Sequence, residues 1–400
     1  MNKKTIEDID VYGKKVLLRV DYNVPLKDGV ITDDTRITES LPTIKYLLEH
    51  GASVILCSHL GRPEGEFVKK YSLYPVAKHL GELLGIKVKF AKDVIGDDAC
   101  KKCESLKMGE VLLLENLRFE KGEEANDTDF ARKLASFADV YVCDAFGTSH
   151  RKHASTYGVA LLMPSAIGFL IEKELNAIVG IISNPKHPFV AVLGGAKVSD
   201  KIGIVNSLLD KVDTLIIGGA MAYTFLKALG YNMGSSLVDE ENIATALSCL
   251  DKAAKNNVEI LLPFDHVIAH GIEDKKGDVT KGANIPDDYM GVDIGPKTIK
   301  RYKKAIRKAK SLVWNGPMGV FENEAFAQGT FKVAKAVAKC HGYTIVGGGD
   351  SVAAVAKANV TKKINHISTG GGASLKLFEG KVLAGVDAIS NKETLWKINL

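Results

Sequence analysis

Arginine and histidine follow the apolar runs of the first half of this chain, whereas glycine and lysine follow those of the second. The first set comprises Asp21-Tyr22-Asn23-Val24-Pro25, Arg36, Ser58-His59-Leu60-Gly61-Arg62-Pro63, Asn116-Leu117-Arg118 and His150-Arg151-Lys152-His153. The second comprises Gly194-Gly195-Ala196-Lys197, Gly218-Gly219, Gly347-Gly348-Gly349-Asp350 and Gly370-Gly371-Gly372. Guanidinium forks suit a small anion carrying carboxylate or phosphate, and glycine turns that open helices suit the polyphosphate of a nucleotide. Two substrates, one on each half, are expected.

The individual segments leave alternatives open. Gly194-Gly195-Ala196-Lys197-Val198-Ser199-Asp200-Lys201 is read as opening a helix, which would put Lys197 and Lys201 on one face, one turn apart. Two ammonium groups there suit phosphate oxygens, although taken alone the segment reads first as a helix with solvated lysines. Asp350 is expected at a helix N-cap, and capping accounts for it as well as magnesium ligation does. The glycines before it, and Ser368-Thr369-Gly370-Gly371-Gly372-Ala373 at the next strand, let a ligand approach the backbone. Bare amides at two neighbouring helix starts would stabilise a phosphoryl group. Trp314-Asn315-Gly316-Pro317-Met318-Gly319-Val320-Phe321-Glu322 is either a purine-covering wall whose Glu322 meets ribose hydroxyls or a plain surface loop. In the first half, Arg36, Arg62, Arg118 and Arg151 with His59 and His150 can converge on one anion, with Asp21 and Asn23 taking a hydroxyl. Any one of these arginines alone reads as a surface charge or an ion pair.

The elements that position these residues are short β-branched runs alternating with helical-period segments. The expected strands are Val16 to Val20, Ser53 to Cys57, Val88 to Phe90, Val111 to Leu114 and Ala138 to Cys143, then Pro188 to Leu193, Thr214 to Ile217, Val258 to Leu262, Leu312 to Trp314, Tyr343 to Val346 and His366 to Ser368. Thr38 to His50 carries Leu41, Ile44, Leu47 and Leu48 on one helical face, with Gly51 as its C-cap. Continuous apolar strands between helices mean parallel sheets buried on both faces. The expected fold class is therefore α/β, two doubly wound Rossmann-like domains joined by a hinge helix, read over Pro164 to Ile182. Ligands of such sheets bind at the carboxyl ends of the strands, where all these motifs fall. Neither Gly-x-x-x-x-Gly-Lys-Ser/Thr nor Gly-x-Gly-x-x-Gly after a strand occurs, so a nucleotide site has to be built differently.

The chain has 400 residues, more than one core normally organises, of which 46% are hydrophobic and 25% charged. Its formal charge of +5 is mild. The lysines read as scattered rather than gathered, which suits drawing in anionic metabolites more than a nucleic-acid groove. Six cysteines are too few to staple a large fold. Cys100-Lys101-Lys102-Cys103 has zinc-ligand spacing but no second pair at a suitable distance, and is read as a solvated turn. The charged N-terminus lacks a signal-peptide core and no apolar stretch approaches a membrane span, so a reducing cytoplasm is expected.

At these residues the chain resembles phosphoglycerate kinase, from about Val16 to the C-terminus. The likeness is carried by Arg19-Val20-Asp21-Tyr22-Asn23-Val24-Pro25, Ser58 to Pro63, Leu114-Glu115-Asn116-Leu117-Arg118-Phe119 and Asp144-Ala145-Phe146-Gly147 in the first half. In the second it is carried by the Gly194 to Lys201 octet, Trp314 to Glu322 and Ser368 to Ser374. Lys152 stands where many relatives have a small residue, with both flanking histidines kept. The resemblance implies transfer of the acyl phosphate of 1,3-bisphosphoglycerate to Mg-ADP, giving 3-phosphoglycerate and ATP, with Mg2+ as cofactor and ATP/ADP as co-substrate. It implies that Asp21, Asn23, Arg36, His59, Arg62, Arg118 and Arg151 hold the phosphoglycerate. It implies nucleotide contacts from Gly195, Lys197, Lys201, Gly219, Asn315, Pro317, Gly319, Glu322, Gly349, Asp350 and Ser351, with Asp350 on the metal. Arg36, Lys197, Gly371 and Gly372 are the implied catalytic groups. The domains implied are 1–163 for phosphoglycerate, with 383–400 packing back on it, then the interdomain helix 164–182 and 183–382 for nucleotide. A monomer acting on small molecules, with no nucleic-acid or membrane partner, is expected. The rival readings are a kinase of another acid, which would keep the second half and change the arginine pocket, and a two-domain solute receptor.

Overall fold

Runs such as Val16-Leu17-Leu18 and Val54-Ile55-Leu56 have no polar alternation, so a strand made from them can only be stable when covered on both faces. A computed structural model, which describes residues 2–392, places these runs in that setting. The chain divides into two units, Met1–Asn176 with Val382–Leu400, and Ala177–Lys381.

The first unit is built on six strands in the order Val88–Phe90, Val111–Leu113, Ser53–Cys57, Lys15–Arg19, Val140–Cys143, Ser165–Ile167. Every pairing is parallel. The four strands followed by the arginine and histidine motifs are consecutive in that order, so their carboxyl ends form one continuous edge. Helices Thr35–Glu49 and Tyr74–Leu84 pack with the sheet around Leu18, Val54, Leu56, Ile44 and Leu80, all fully buried. Each such side chain contributes about 1.5–3 kcal/mol relative to exposure.

The expected helix over 164–182 starts later. Ser165–Ile167 is the sixth strand, pairing Tyr141 with Ser165 and Cys143 with Ile167, and the helix is Phe169–Ser183. The apolar spacing of Ile167, Leu170 and Ile171 suits a helix, but backbone pairing outweighs it up to Ile167, and the Asp144 carboxylate Oδ1 sets the helix start by accepting the Leu170 and Ile171 amides at 2.9 and 3.2 Å. The boundary between the units falls inside this helix, at Asn176 and Ala177. Of the segment 383–400, residues 383–392 lie with the first unit: the Gly385 amide donates to the Ser149 carbonyl at 2.7 Å and the Lys4 amide to the Ser390 carbonyl at 2.9 Å. Residues 393–400 lie outside the described residues. Cys100 and Cys103 occupy helix Asp97–Glu104 rather than a turn, with Cys103 buried, because Ala99 and Cys103 supply the apolar stripe of that helix.

The second unit has a parallel sheet in the order Glu259–Leu261, Thr214–Ile217, Phe189–Leu193, Ser311–Asn315, Tyr343–Gly347, His366–Ile367. In chain order this is 3-2-1-4-5-6, the doubly wound arrangement whose direction reverses between Phe189–Leu193 and Ser311–Asn315. Its core surrounds the fully buried Trp314. A separate antiparallel sheet of Asp278–Val279, His266–Ala269 and Met290–Ile294 was not expected from the sequence. Its strands are short and pack on small apolar clusters, Ile268 with Tyr223, Leu226 and Ile285, and Ala269 with Val292 and Phe326. The Asp265 carboxylate accepts the Lys297 and Thr298 amides at 3.0 and 2.8 Å, tying the sheet to the start of helix Pro296–Lys308.

Candidate functional site

The first unit gathers its cations around a buried arginine that the sequence reading left unassigned. Arg19 ends the central strand and is 1% exposed. Its Nε donates to Ser155 Oγ at 2.8 Å, one terminal nitrogen reaches the Val20 carbonyl, and the other lies 3.3 Å from His59 Nδ1. Ser155 in turn donates its amide to Glu123 Oε1 at 2.9 Å. Burial pushes the Glu123 carboxyl up, with Arg19 opposing. An arginine closing an otherwise apolar strand is itself the sequence signal, because a buried charge needs a partner or a function.

Around Arg19 stand most of the expected residues. Arg36 reaches Asp21 Oδ1 at 2.7 Å from the first turn of helix Thr35–Glu49. Burial opposes the Asp21 charge, but the facing guanidiniums of Arg36 and Arg19 hold its carboxyl below the usual range. Burial drives His59 well below its ordinary value, with Asp21 opposing and Arg19, Arg118 and Arg36 adding to the effect. His59 is therefore neutral at pH 7 and acts as a hydrogen-bonding ring, so the Arg36 ion pair is what holds the Asp21 charge. His153 is pushed down to about 4 by burial, then by Arg19, Arg118, Arg151 and His150, so all four lie within electrostatic reach of its ring. Arg118 is 4% exposed and donates to the Gly61 carbonyl at 2.8 Å. Asn23 Oδ1 accepts the Gly61 amide at 2.9 Å, and buried Asn116 accepts from the Leu60 amide and donates to its carbonyl. Three strand-end loops are thus locked together, which holds several guanidiniums close: Arg36 pairs with Asp21, Arg118 Nε lies 3.4 Å from Glu124 Oε1, and Arg151 forms no ion pair among the described residues. Arg62 lies outside this set: it is exposed and has no ion pair or side-chain hydrogen bond among the described residues.

In the second unit the glycines separate into two kinds. A Cβ on Gly194 would collide with the Pro317 carbonyl, and one on Gly219 would come within 2.9 Å of Gly195 and Pro317 backbone atoms. These glycines let three strand-end loops touch, and the contacts are closed by the Gly194 amide to the Asn315 carbonyl at 2.9 Å and the Gly219 amide to the Met318 carbonyl at 3.0 Å. By contrast nothing lies within 4 Å of a Cβ at Gly349 or Gly371. Gly371 (φ +48) caps the seven-residue helix Gly372–Phe378, and Gly348 (φ +91) caps Gly349–Lys357. First-turn amides of a helix lack intrahelical partners, so both starts present donors beside open backbone.

Several expected placements are corrected. Gly194 to Lys201 is not helical: the helix is Ile202–Leu208 with Lys201 as its N-cap, so Lys197 and Lys201 do not share a helical face. The loop is held open by its contacts with Gly219 and Asn315. Asp350 is not the N-cap but lies in the first turn of Gly349–Lys357, because Gly348 takes the positive φ that begins it. Residues 314–319 are not a surface loop. Trp314 Nε1 donates to the Gly316 carbonyl at 2.7 Å, Asn315 Nδ2 to the Gly347 carbonyl at 2.9 Å and the Gly316 amide to Ser351 Oγ at 2.6 Å. Asn315 and Ser351 are buried in these contacts, and Gly319 packs against Val292 and Asp293. Glu322 is exposed beyond them.

The structure brings Lys201, Asn315, Asp350 and the Gly347 to Gly349 turn together. Lys201 Nζ donates to Asn315 Oδ1. Burial lowers the Lys201 ammonium to about 8, with Asp200 and Asp350 opposing. Lys197 is exposed on the loop, and its charge is felt by Asp239. No group of three or more His, Cys, Asp or Glu able to hold a metal occurs among the described residues. Asp350 offers one hard oxygen donor beside the open Gly349 backbone. That suits Mg2+ held jointly with substrate phosphates, which asks for only one or two protein carboxylates.

Two doubly wound units, one edged with guanidiniums and the other with open glycine helix starts, define a phosphotransferase acting on an anionic acceptor and a nucleotide. A family model described as phosphoglycerate kinase matches residues 6–381. Curated phosphoglycerate kinases of Clostridium perfringens (strain SM101 / Type A) and Clostridium novyi (strain NT) are 55% identical over 394 residues and 56% identical over 396, covering 98% of this chain and 99% and 100% of theirs. The structure of phosphoglycerate kinase from Coxiella burnetii is similar at TM-score 0.89 and 43% identity, and the crystal structure of that from Pyrococcus horikoshii OT3 at 0.83 and 36%. Each comparison covers 96% of this chain and 98% of the other. The chain belongs to the phosphoglycerate kinase family, and it is a kinase of the glycolytic reaction that defines the family, with ATP and ADP as substrates.

Proposed function

We propose that this chain transfers the acyl phosphate of 1,3-bisphosphoglycerate to Mg-ADP reversibly, with Asp21, Asn23, Arg36, His59, Arg62, Arg118 and Arg151 holding the phosphoglycerate. Gly195, Lys197, Lys201, Gly219, Pro317, Gly349 and Asp350 hold the nucleotide, and Glu322 meets its ribose. Asn315, Gly319 and Ser351 serve the nucleotide by fixing the loops that carry the others. The observation that carries this reading is the contrast between the two strand-end edges: guanidiniums gathered about the buried Arg19 and Arg118 on one unit and open helix-start backbone on the other.

In the ATP-consuming direction the nucleophile is a carboxylate, already ionised at neutral pH, so no general base is needed. The neutral His59 agrees with this, since it holds a hydroxyl or phosphate oxygen without having to take a proton. Catalysis then rests on aligning donor and acceptor and neutralising the equatorial oxygens of the transferring group. Arg36, Lys197 and the Gly371 and Gly372 amides supply that neutralisation from the protein. Asp350 would hold Mg2+, which when bound neutralises phosphate oxygens. Reacting atoms have to come within about 3–3.5 Å, and movement about helix Phe169–Ser183 brings them there. The enzyme works as a cytoplasmic monomer; no helix among the described residues is long and apolar enough to cross a membrane.

A coupled assay for ATP formation from ADP and 1,3-bisphosphoglycerate tests the reading. Wild type is active, and Lys197→Ala lowers kcat far more than it raises KM for ADP. Equal kcat in the two proteins would remove Lys197 from the transition state, and an inactive wild type would overturn the assignment.

A further inference from the structure

The sequence reads its lysines as scattered, yet the two helices that flank residues 314–322 line one groove of the second unit with eight cations. Helix Pro296–Lys308 packs against helix Gln328–Val337, and between them lies a cavity of about 870 Å3. Lys300, Lys304 and Lys308 stand on one wall, and Lys332, Lys335 and, just past the helix end, Lys339 on the other. Lys303 and Arg307 complete the first wall. No aspartate or glutamate lines the groove, and none of the eight forms an ion pair among the described residues. Eight exceeds the +5 of the whole chain, so the remainder is on balance acidic and the field is concentrated here.

The charge is arranged in rows. Residues four apart on a helix are separated by about 6 Å along its axis, so Lys300, Lys304 and Lys308 form a line about 12 Å long, faced by the second line from Lys332 to Lys339. Between the rows the floor is apolar, made of Ile299, Phe331 and Ala336. Phe331 is only half-buried against the core, leaving ring surface available to the groove. A concave apolar floor between two lines of ammonium groups does not match a flat membrane surface, nor a duplex whose bases are stacked away. It does not match inorganic polyphosphate either, which has no apolar face to place on the floor. It matches a chain with anions along its backbone and flat apolar faces along its side.

The geometry points to a binding site for single-stranded nucleic acid, a few nucleotides long, with phosphates on the two lysine rows and a base against Phe331. Such a site works by counterion release, so its affinity falls steeply with salt, by about 0.7 log units per log unit of salt for each phosphate neutralised. Engagement of about six of the eight cations gives a slope of roughly −4.

The test is fluorescence anisotropy of a labelled 12-nucleotide oligouridylate with the full chain, from 30 to 200 mM salt, in the presence of saturating Mg-ADP and 3-phosphoglycerate. Binding is expected to persist with those substrates present. Combining Lys304→Gln, Lys308→Gln and Lys335→Gln should make the slope shallower by about 2 and weaken binding more than tenfold at low salt, with kcat within twofold of wild type. Phe331→Leu keeps the apolar packing, removes the ring and should weaken binding at least fivefold at unchanged slope. The inference is overturned if wild type fails to bind at 30 mM salt, if the substrates abolish binding, or if the lysine variant keeps the wild-type slope. It is also overturned if Phe331→Leu binds as wild type does, or if inorganic polyphosphate or polyglutamate competes as well as unlabelled oligonucleotide at equal charge.

Discussion

The proposed contact of Lys201 with the nucleotide makes binding a proton-coupled event. The Lys201 ammonium sits at about 8 because burial disfavours the charge, and Asp200 and Asp350 only partly oppose this. Relative to the ordinary lysine value of 10.5 that is a penalty of roughly 3 kcal/mol on the charged form. In the unliganded chain the unfolded state binds this proton more tightly, so stability rises with pH between about 8 and 10.5. Bound phosphates reverse the preference: they stabilise the ammonium, and above pH 8 the chain takes up a proton as ADP binds. At pH 9 about nine-tenths of Lys201 is neutral in the free protein, so ADP binding absorbs about 0.9 proton and affinity is about tenfold weaker than at pH 7. Phosphate itself has its second ionisation near pH 6 and is silent in this range. Calorimetry at pH 9 in two buffers of different ionisation heat reads the uptake directly. Lys201→Arg keeps the charge at every pH and should absorb no proton, with a flat affinity from pH 7 to 9. Equal uptake in the two proteins, or none in wild type, would refute the reasoning.

The same geometry yields three further outcomes. Arg36→Ala removes the ion pair to Asp21 and, by the proposed assignment, one charge-assisted hydrogen bond to the anion, worth about 1.5–3 kcal/mol, so kcat/KM for 3-phosphoglycerate should fall about tenfold to 150-fold in steady-state assays with little change in KM for ATP. Gly194→Ala forces a Cβ into the Pro317 carbonyl and should lower Tm by several degrees with or without nucleotide, whereas Gly349→Ala meets nothing within 4 Å and should leave Tm nearly unchanged while weakening ADP binding by titration. Burial raises Asp144 to about 7, against the pull of Thr43 and the Ile171 and Leu170 amides. The folded chain therefore binds this proton more tightly than the unfolded one and loses stability as pH rises from about 4 to 7. Asp144→Asn keeps an acceptor for the helix amides, and in urea titrations at pH 5 and 8 it should flatten that part of the decline.

The fold was legible where one residue pattern had one physical meaning. Continuous apolar runs such as Val16 to Leu18 and Phe189 to Leu193 can only be strands covered on both faces, and they are. Ser165 to Ile167 had two meanings, because its spacing continues the helix that follows; the choice was made by its pairing with Tyr141 to Cys143 and by the Asp144 carboxylate, both remote in sequence. The short sheet around His266–Ala269 escaped because its strands are brief and what fixes them is remote in sequence: Ile268 packs with Tyr223 and Ile285 and Ala269 with Phe326, while Asp265 and Thr298 close the helix start beside it.

The candidate site was legible in residue types more than in roles, for a reason visible at Arg19 and the glycines. Arg19 stood in plain view at the end of a strand, but its importance lies in contacts with His59, 40 residues away, and Ser155, 136 away, which no local pattern encodes. Glycine invites one reading from sequence, that a ligand comes close to the backbone. The fold divides that reading in two: at Gly194 and Gly219 the close neighbour is the protein's own Pro317 and Gly195 backbone, and at Gly349 and Gly371 nothing lies within 4 Å of an added Cβ. Only the second kind leaves room for a phosphate. The first kind is what holds the second in place, because the loops it brings into contact carry Asn315, which reaches both Lys201 and the Gly347 carbonyl at the open turn. A glycine-rich nucleotide edge is thus two devices in series, a packed joint and an open cradle, and substitutions in the two should separate stability from binding.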